Sequence, residues 1–176
     1  TTGGQNVGIG SEALDANTTA DGNVAIGFRA LTANTTGADN VGIGESALED
    51  NTTGTLNTAV GFRALATNIT TSNSTGIGYA ALENAVGAGN TAVGTYALVT
   101  STTGTRNVAV GANTLDALTT GYNNTSVGYD AGTSTTDAYN NTFIGTYCGD
   151  ANTTAYSCTA VGHNAMGTEQ TGSGNT

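Results

Sequence analysis

The sequence predicts an all-β chain: a parallel β-solenoid (β-roll) of ten coils of about 17 residues each. Three observations carry that prediction. A pentad of Asn, Val or Thr, a small residue, Ile or Val, and Gly recurs along the whole chain, starting at Asn6, Asn23, Asn40, Asn57, Ser74, Asn90, Asn107, Asn124, Asn141 and Cys158. Successive starts lie 17 residues apart except for the 16-residue step from Ser74 to Asn90. No helical spacing of apolar residues is sustained, and Gly interrupts every candidate helix. A disordered chain has no need to hold Ile or Val in so fixed a register. Residues 1–176 therefore read as one tandem array. The register places an eleventh pentad at Asn175, so a longer array is expected.

Within a coil, positions are counted from the first residue of the pentad. Position 4 is Ile or Val in all ten copies, from Ile9 to Val161, and position 2 is Val or Thr. Side chains of a strand alternate between faces. Positions 2 and 4 are therefore expected to face the interior, and positions 1, 3 and 5 the outside. On that reading Ile43→Asp would place an unpaired charge in a dry core. The Gly at position 5 marks a strand end with positive φ or a close backbone approach. Ala-Leu follows at positions 8 and 9 in six coils, such as Ala13-Leu14 and Ala64-Leu65, with Thr114-Leu115 in a seventh, and the Leu is the expected partner of the position-4 side chain. The coil closes on Asn-Thr-Thr-Gly or a variant, which is turn chemistry. Two short strands and two turns per coil are expected, with a rise of about 4.8 Å. Position 3 is Gly, Ala or Ser in every coil but that of Phe143. Facing outward, it would form a smooth stripe that another chain could approach.

The pentad followed by Ala-Leu, as in Asn57-Thr58-Ala59-Val60-Gly61-Phe62-Arg63-Ala64-Leu65, resembles the head repeats of trimeric autotransporter adhesins of the YadA type. It is similar as well to repeats of some phage and viral tail fibres. The resemblance spans all ten coils. It implies a left-handed roll, a homotrimer or end-to-end fibre, an extracellular or surface-displayed location, and a cell-surface or glycan ligand. The longer coil, with its extra Asn-Thr-Thr-Gly segment, departs from the adhesin pattern.

Composition narrows the function further. The chain has no Lys, three Arg and a formal net charge of −10, which argues against nucleic acid and anionic lipid as partners. No apolar run approaches the ~20 residues of a membrane span, and no basic and apolar leader opens the chain. His163 is the only His and stands at a turn position without a recurring partner, so no catalytic triad can be argued and the chain reads as a non-enzyme. No cofactor is implied. Asp and Asn are frequent, yet neither an EF-hand loop nor the calcium-binding nonapeptide repeat is present, so no metal site is expected.

Position 10 is acidic in alternate coils (Asp15, Glu49, Glu83, Asp116, Asp150), an arrangement that avoids a column of like charges. Arg29 should stack beside Glu12. Sequons occur at Asn17, Asn34, Asn51, Asn68, Asn73, Asn123, Asn124, Asn140 and Asn152. They are either N-glycan acceptors on the surface or simply turn formers. The same segment carries a Thr column, broken at Ile69, Val86 and Gln170, that is compatible with ice binding. Cys148 and Cys158 are an even pair that outside the cell would bridge. Aromatic residues at position 6 or 7 (Phe28, Phe62, Tyr79, Tyr96, Tyr129, Tyr147) are candidate sugar-stacking platforms. The leading expectation is a structural fibre or adhesin shaft. A receptor- or carbohydrate-binding tail-fibre module is the alternative, with ice binding behind both.

Overall fold

The computed structural model describes residues 3–168 and 172–176. Each pentad forms one three-residue strand: β1 (Val7–Ile9), β2 (Val24–Ile26), β3 (Val41–Ile43), β4 (Thr58–Val60), β5 (Thr75–Ile77), β6 (Thr91–Val93), β7 (Val108–Val110), β8 (Thr125–Val127), β9 (Thr142–Ile144) and β10 (Thr159–Val161). The ten strands make one parallel sheet in sequence order. Register is strict, with Ile9 on Ile26 and Ile26 on Ile43. The short fifth coil keeps it, since Thr75 still pairs with Thr91. Its missing residue is taken from the turn segment, where Val86 is followed directly by Gly87. The chain is a parallel β-solenoid.

The expected second strand does not form. The rest of each coil is a chain of turns, yet it is bonded to its neighbours all the way round. The Leu31 N–H donates to Ala47 O in the next coil at 3.0 Å, Arg29 N–H to Ser11 O in the previous one at 3.0 Å, and Asp39 N–H to Asp21 O at 3.1 Å. Positions 7, 9 and 17 hold positive φ, from 51 to 64° among their non-Gly residues. Such a conformation is costly for a residue with a Cβ and worst for a β-branched one. None of these positions carries Val, Ile or Thr, although all three are common elsewhere in the chain. Position 5 needs Gly for a second reason: a Cβ on Gly61 would lie 2.3 Å from Gly78 O, at a φ of 135°.

The strand parity is the reverse of the expected one. Positions 2 and 4 point out: Ile9 is 58% and Val161 67% exposed, and Ile43 is partly exposed. Positions 1 and 3 point in, with Asn40, Ala25, Ala59 and Phe143 fully buried. The space under the strand is already occupied by the position-9 Leu, which is fully buried from Leu31 to Leu115. A Cβ on Gly42 would come within 3.3 Å of Leu31 Cγ and Cδ1, so only a small side chain fits at position 3. The small-residue stripe is thus an interior feature, not an outer docking surface.

Asn at position 1 enters the core because it can satisfy itself there. Asn40 Oδ1 accepts from the Asn57 backbone N–H at 3.0 Å and from Asn57 Nδ2 at 3.1 Å, while Asn40 Nδ2 donates to Gly54 O across the coil at 2.8 Å. The pattern repeats at Asn107 and Asn124. Position-12 amides line a second interior column, with Asn51 Nδ2 donating to Asn34 Oδ1 at 3.0 Å. Bonding makes the first column tolerable in the core, whereas the second is less complete: Asn17 Oδ1, Asn51 Oδ1 and both polar atoms of the Asn152 amide find no partner among the described residues.

Candidate interaction surfaces

Three surfaces stand out. The first is the outer face of the sheet. Every side chain at positions 2 and 4 from β1 to β10 is Val, Ile or Thr, so the face carries no charge over its whole length. Strict register aligns these side chains in two straight rows. The position-2 row is Thr in six strands, but the position-4 row is Ile or Val throughout, and a continuous apolar row of this length marks a contact surface.

The second is aromatic. Phe62 stacks on Tyr79 with ring centroids 5.1 Å apart, and Tyr79 meets Tyr96 edge-on at 5.3 Å. Tyr129, Tyr147 and His163 continue this row in later coils, at 5.7 and 6.1 Å. Ala112 and Asn113 interrupt it. Phe28 is exposed apart from it. His163 is exposed, as expected of a turn residue, and its ring contact is with Tyr147. Beside it the Asp130 carboxylate pushes the Tyr129 hydroxyl above its usual range. A hydrogen bond in which the Tyr96 hydroxyl donates to Tyr79, more than charge or burial, does the same to Tyr96.

The third surface was missed in the sequence reading. Tyr122, Tyr139 and Tyr156 occupy position 16 of three successive coils and stack nearly parallel, 5.0 and 4.9 Å apart at 6° and 3°. Their separation in sequence is the repeat length itself, the one signal that could have found them. In the two coils before Tyr122 the column drops to Thr105 and then Ala88, and a groove opens there, lined by Asn73, Ala88, Gly89, Thr105 and Arg106.

Two of the three Arg are ion-paired. Arg29 lies 3.3 Å from Glu12, as expected, but is closer to Glu49 at 2.5 Å, and Arg63 binds Glu83 at 2.6 Å. Two of the alternating acids therefore have a positive role beyond avoiding one another, although exposed pairs contribute only about 0–1 kcal/mol. Asp116 has no such partner among the described residues. Burial, reinforced by Asp130 and opposed by a bond from the Ala117 N–H, holds its carboxyl above the usual range.

The sequons divide by side chain. Asn17, Asn34, Asn51, Asn68, Asn124 and Asn152 are buried, which leaves no room for a sugar in the folded coil. The expected column of surface sequons at position 12 is an interior amide column instead. Asn73, Asn123 and Asn140 are exposed at position 17. The Thr column is engaged from within: Thr35 Oγ1 donates to Thr52 O at 3.1 Å and Thr52 Oγ1 to Ile69 O at 3.0 Å, so those hydroxyl protons are committed to the next coil. Gln170, one of its interruptions, lies outside the described residues.

Cys148 and Cys158 are both buried free thiols, not the expected bridge. They donate inward to Ala160 O at 3.2 Å and Gly172 O at 3.3 Å, respectively. Burial pushes the Cys148 thiol up, away from the reactive thiolate. Among the described residues no cluster of three or more His, Cys, Asp or Glu could hold a metal ion, and no helix is long and apolar enough to cross a membrane. Compared with family models, curated proteins and solved structures, the chain matches none.

Proposed function

We propose that this chain is a structural segment of an extracellular fibre or adhesin shaft, and that its copies self-associate through the outer face of the ten-stranded sheet. The observation that carries the reading is the uncharged Val, Ile and Thr face running from β1 to β10. An interior made largely of Leu, Ala and Asn is thin, and burying the outer rows against other copies adds apolar contact that one chain lacks. The resemblance to YadA-type heads favours three copies. The interface is at positions 2 and 4, not at the position-3 stripe. N-glycans on such a shaft are confined to the exposed sequons, and glycopeptide mass spectrometry of native material checks their occupancy.

Analytical ultracentrifugation tests the assembly. A mass of about three chains at micromolar concentration is expected, and a monomer at every concentration reached would sink the proposal. The second reading, a receptor- or carbohydrate-binding module, draws on the exposed aromatic side chains of Tyr79, Tyr129 and Tyr147. Images of the full fibre separate the two: uniform filaments favour the shaft, and a stalk ending in a distinct tip favours the module.

A further inference from the structure

We propose that the groove at Arg106 is a binding site for an acidic saccharide, with the guanidinium taking a sugar carboxylate and Tyr122 taking the C–H face of the ring. The groove exists because the large side chains of position 16 stop at Tyr122, and the column falls through Thr105 to Ala88. It is a shallow, open depression of about 370 Å³, wide enough to seat one or two sugar rings from solvent. Backbone bonds from Arg106 N–H to Ala88 O at 3.2 Å and from Gly89 N–H to Ser72 O at 3.3 Å hold its floor. The walls carry polar side chains with no internal task. The Asn73 amide and Thr105 hydroxyl make no side-chain hydrogen bond among the described residues, and Arg106, unlike Arg29 and Arg63, has no ion-pair partner there.

An exposed guanidinium without a carboxylate is notable in a chain of net charge −10, and it selects an anion. Planar, two-pronged recognition of a carboxylate is what Arg does best. Tyr122 supplies the other half. One face of its ring is stacked on Tyr139, no other ring covers the opposite face among the described residues, and its backbone pairs with Thr105 at the edge of the groove. A charged fork beside an open aromatic face matches a uronate, which has both a carboxylate and an apolar ring face. A simple anion would use only the first.

Calorimetric titration of the whole chain with tetragalacturonate tests this, with neutral galactotetraose as the comparison. Binding to the acidic sugar is expected, at least tenfold tighter than to the neutral one and weakened by added salt. Arg106→Gln should weaken it at least tenfold and Tyr122→Ala at least threefold. Gln is tolerated there, because Gln5 occupies the same coil position at a φ of 57° beside 56° for Arg106. Equal affinity for the neutral sugar, an unchanged Arg106→Gln, or displacement by equimolar inorganic phosphate would each overturn the proposal. So would an N-glycan on Asn73 in native material, which would fill the groove. The site lies within one chain, so failure to bind and failure to assemble are separate results.

Discussion

At position 3, Phe143 replaces the usual Ala, Gly or Ser, and position 9 is Gly rather than Leu in its own coil and the one before (Gly149 and Gly132). A Cβ on Gly149 would lie 2.7–2.9 Å from atoms of the Phe143 ring, and one on Gly132 would lie 3.3 Å from it. The large ring is thus housed by removing two Leu side chains, as close packing requires. Gly149→Leu restores the common residue in a conformation that Leu adopts in seven other coils, yet it should cost about 1–3 kcal/mol from overpacking. Phe143→Ala alone should cost about 3–5 kcal/mol by leaving a cavity. The double variant should recover much of both losses, and denaturant midpoints of the four proteins measure the coupling. Additive losses would show that the two sites do not share one volume. Asp116 gives a second test at this scale. Its carboxyl is raised in the folded chain, so the folded state holds that proton more tightly than the unfolded one. Stability is then lost as pH rises from the unfolded carboxylate range through the raised folded value. Asp116→Asn should increase the melting temperature at pH 7 and lose that advantage below about pH 3.9.

Within a coil, the strand and the turns are held by different means, and only some of these can be read from composition. The period, the strand positions, the Gly at position 5 and the buried Ala-Leu were legible because each has one physical explanation. The facing of the strand was not. Three residues between Asn and Gly offer two candidate inner faces, and β-branched side chains at positions 2 and 4 look like core. What decides is the Leu of position 9, which reaches under the strand from the turn, together with an Asn that becomes burial-competent only when stacked on another Asn. Neither fact belongs to a single coil. The Phe143, Gly132 and Gly149 substitutions were the available clue. The amide column predicts that Asn57→Ala is far worse than its size suggests. Asn57 Oδ1 accepts from the Ser74 N–H at 3.0 Å, and its Nδ2 donates to Asn40 Oδ1 and Thr71 O. Removing it leaves buried groups unbonded at about 1–3 kcal/mol. Hydrogen exchange should show the loss as faster exchange of the Ser74 amide and its neighbours in the flanking coils. Unchanged exchange would mean that the column is not a structural support.

Over the whole molecule, ten coils in strict register turn one outward-facing pair of positions into an uninterrupted surface, and that surface makes the fold and the assembly separable. Ile43 stands on the third strand within the position-4 row, paired with Ile26 and Val60 on either side. In a lone chain an Asp placed there keeps its water, so Ile43→Asp should alter stability by no more than about 1 kcal/mol, within the range of strand propensity. In an assembly the same carboxylate would be desolvated at every copy of the interface without a partner, at a cost of several kcal/mol per charge. The expected outcome is a variant with the circular dichroism and melting behaviour of a folded coil but the mass of a single chain. Ultracentrifugation and circular dichroism on the same sample decide it. An unfolded variant would mean that position 4 faces the core after all. An assembled one would move the interface off the sheet and leave the Val, Ile and Thr rows to some other partner. Fold intact with assembly lost is the one combination that ties self-association to this face, because the substitution touches nothing in the interior that Leu, Ala and Asn already fill.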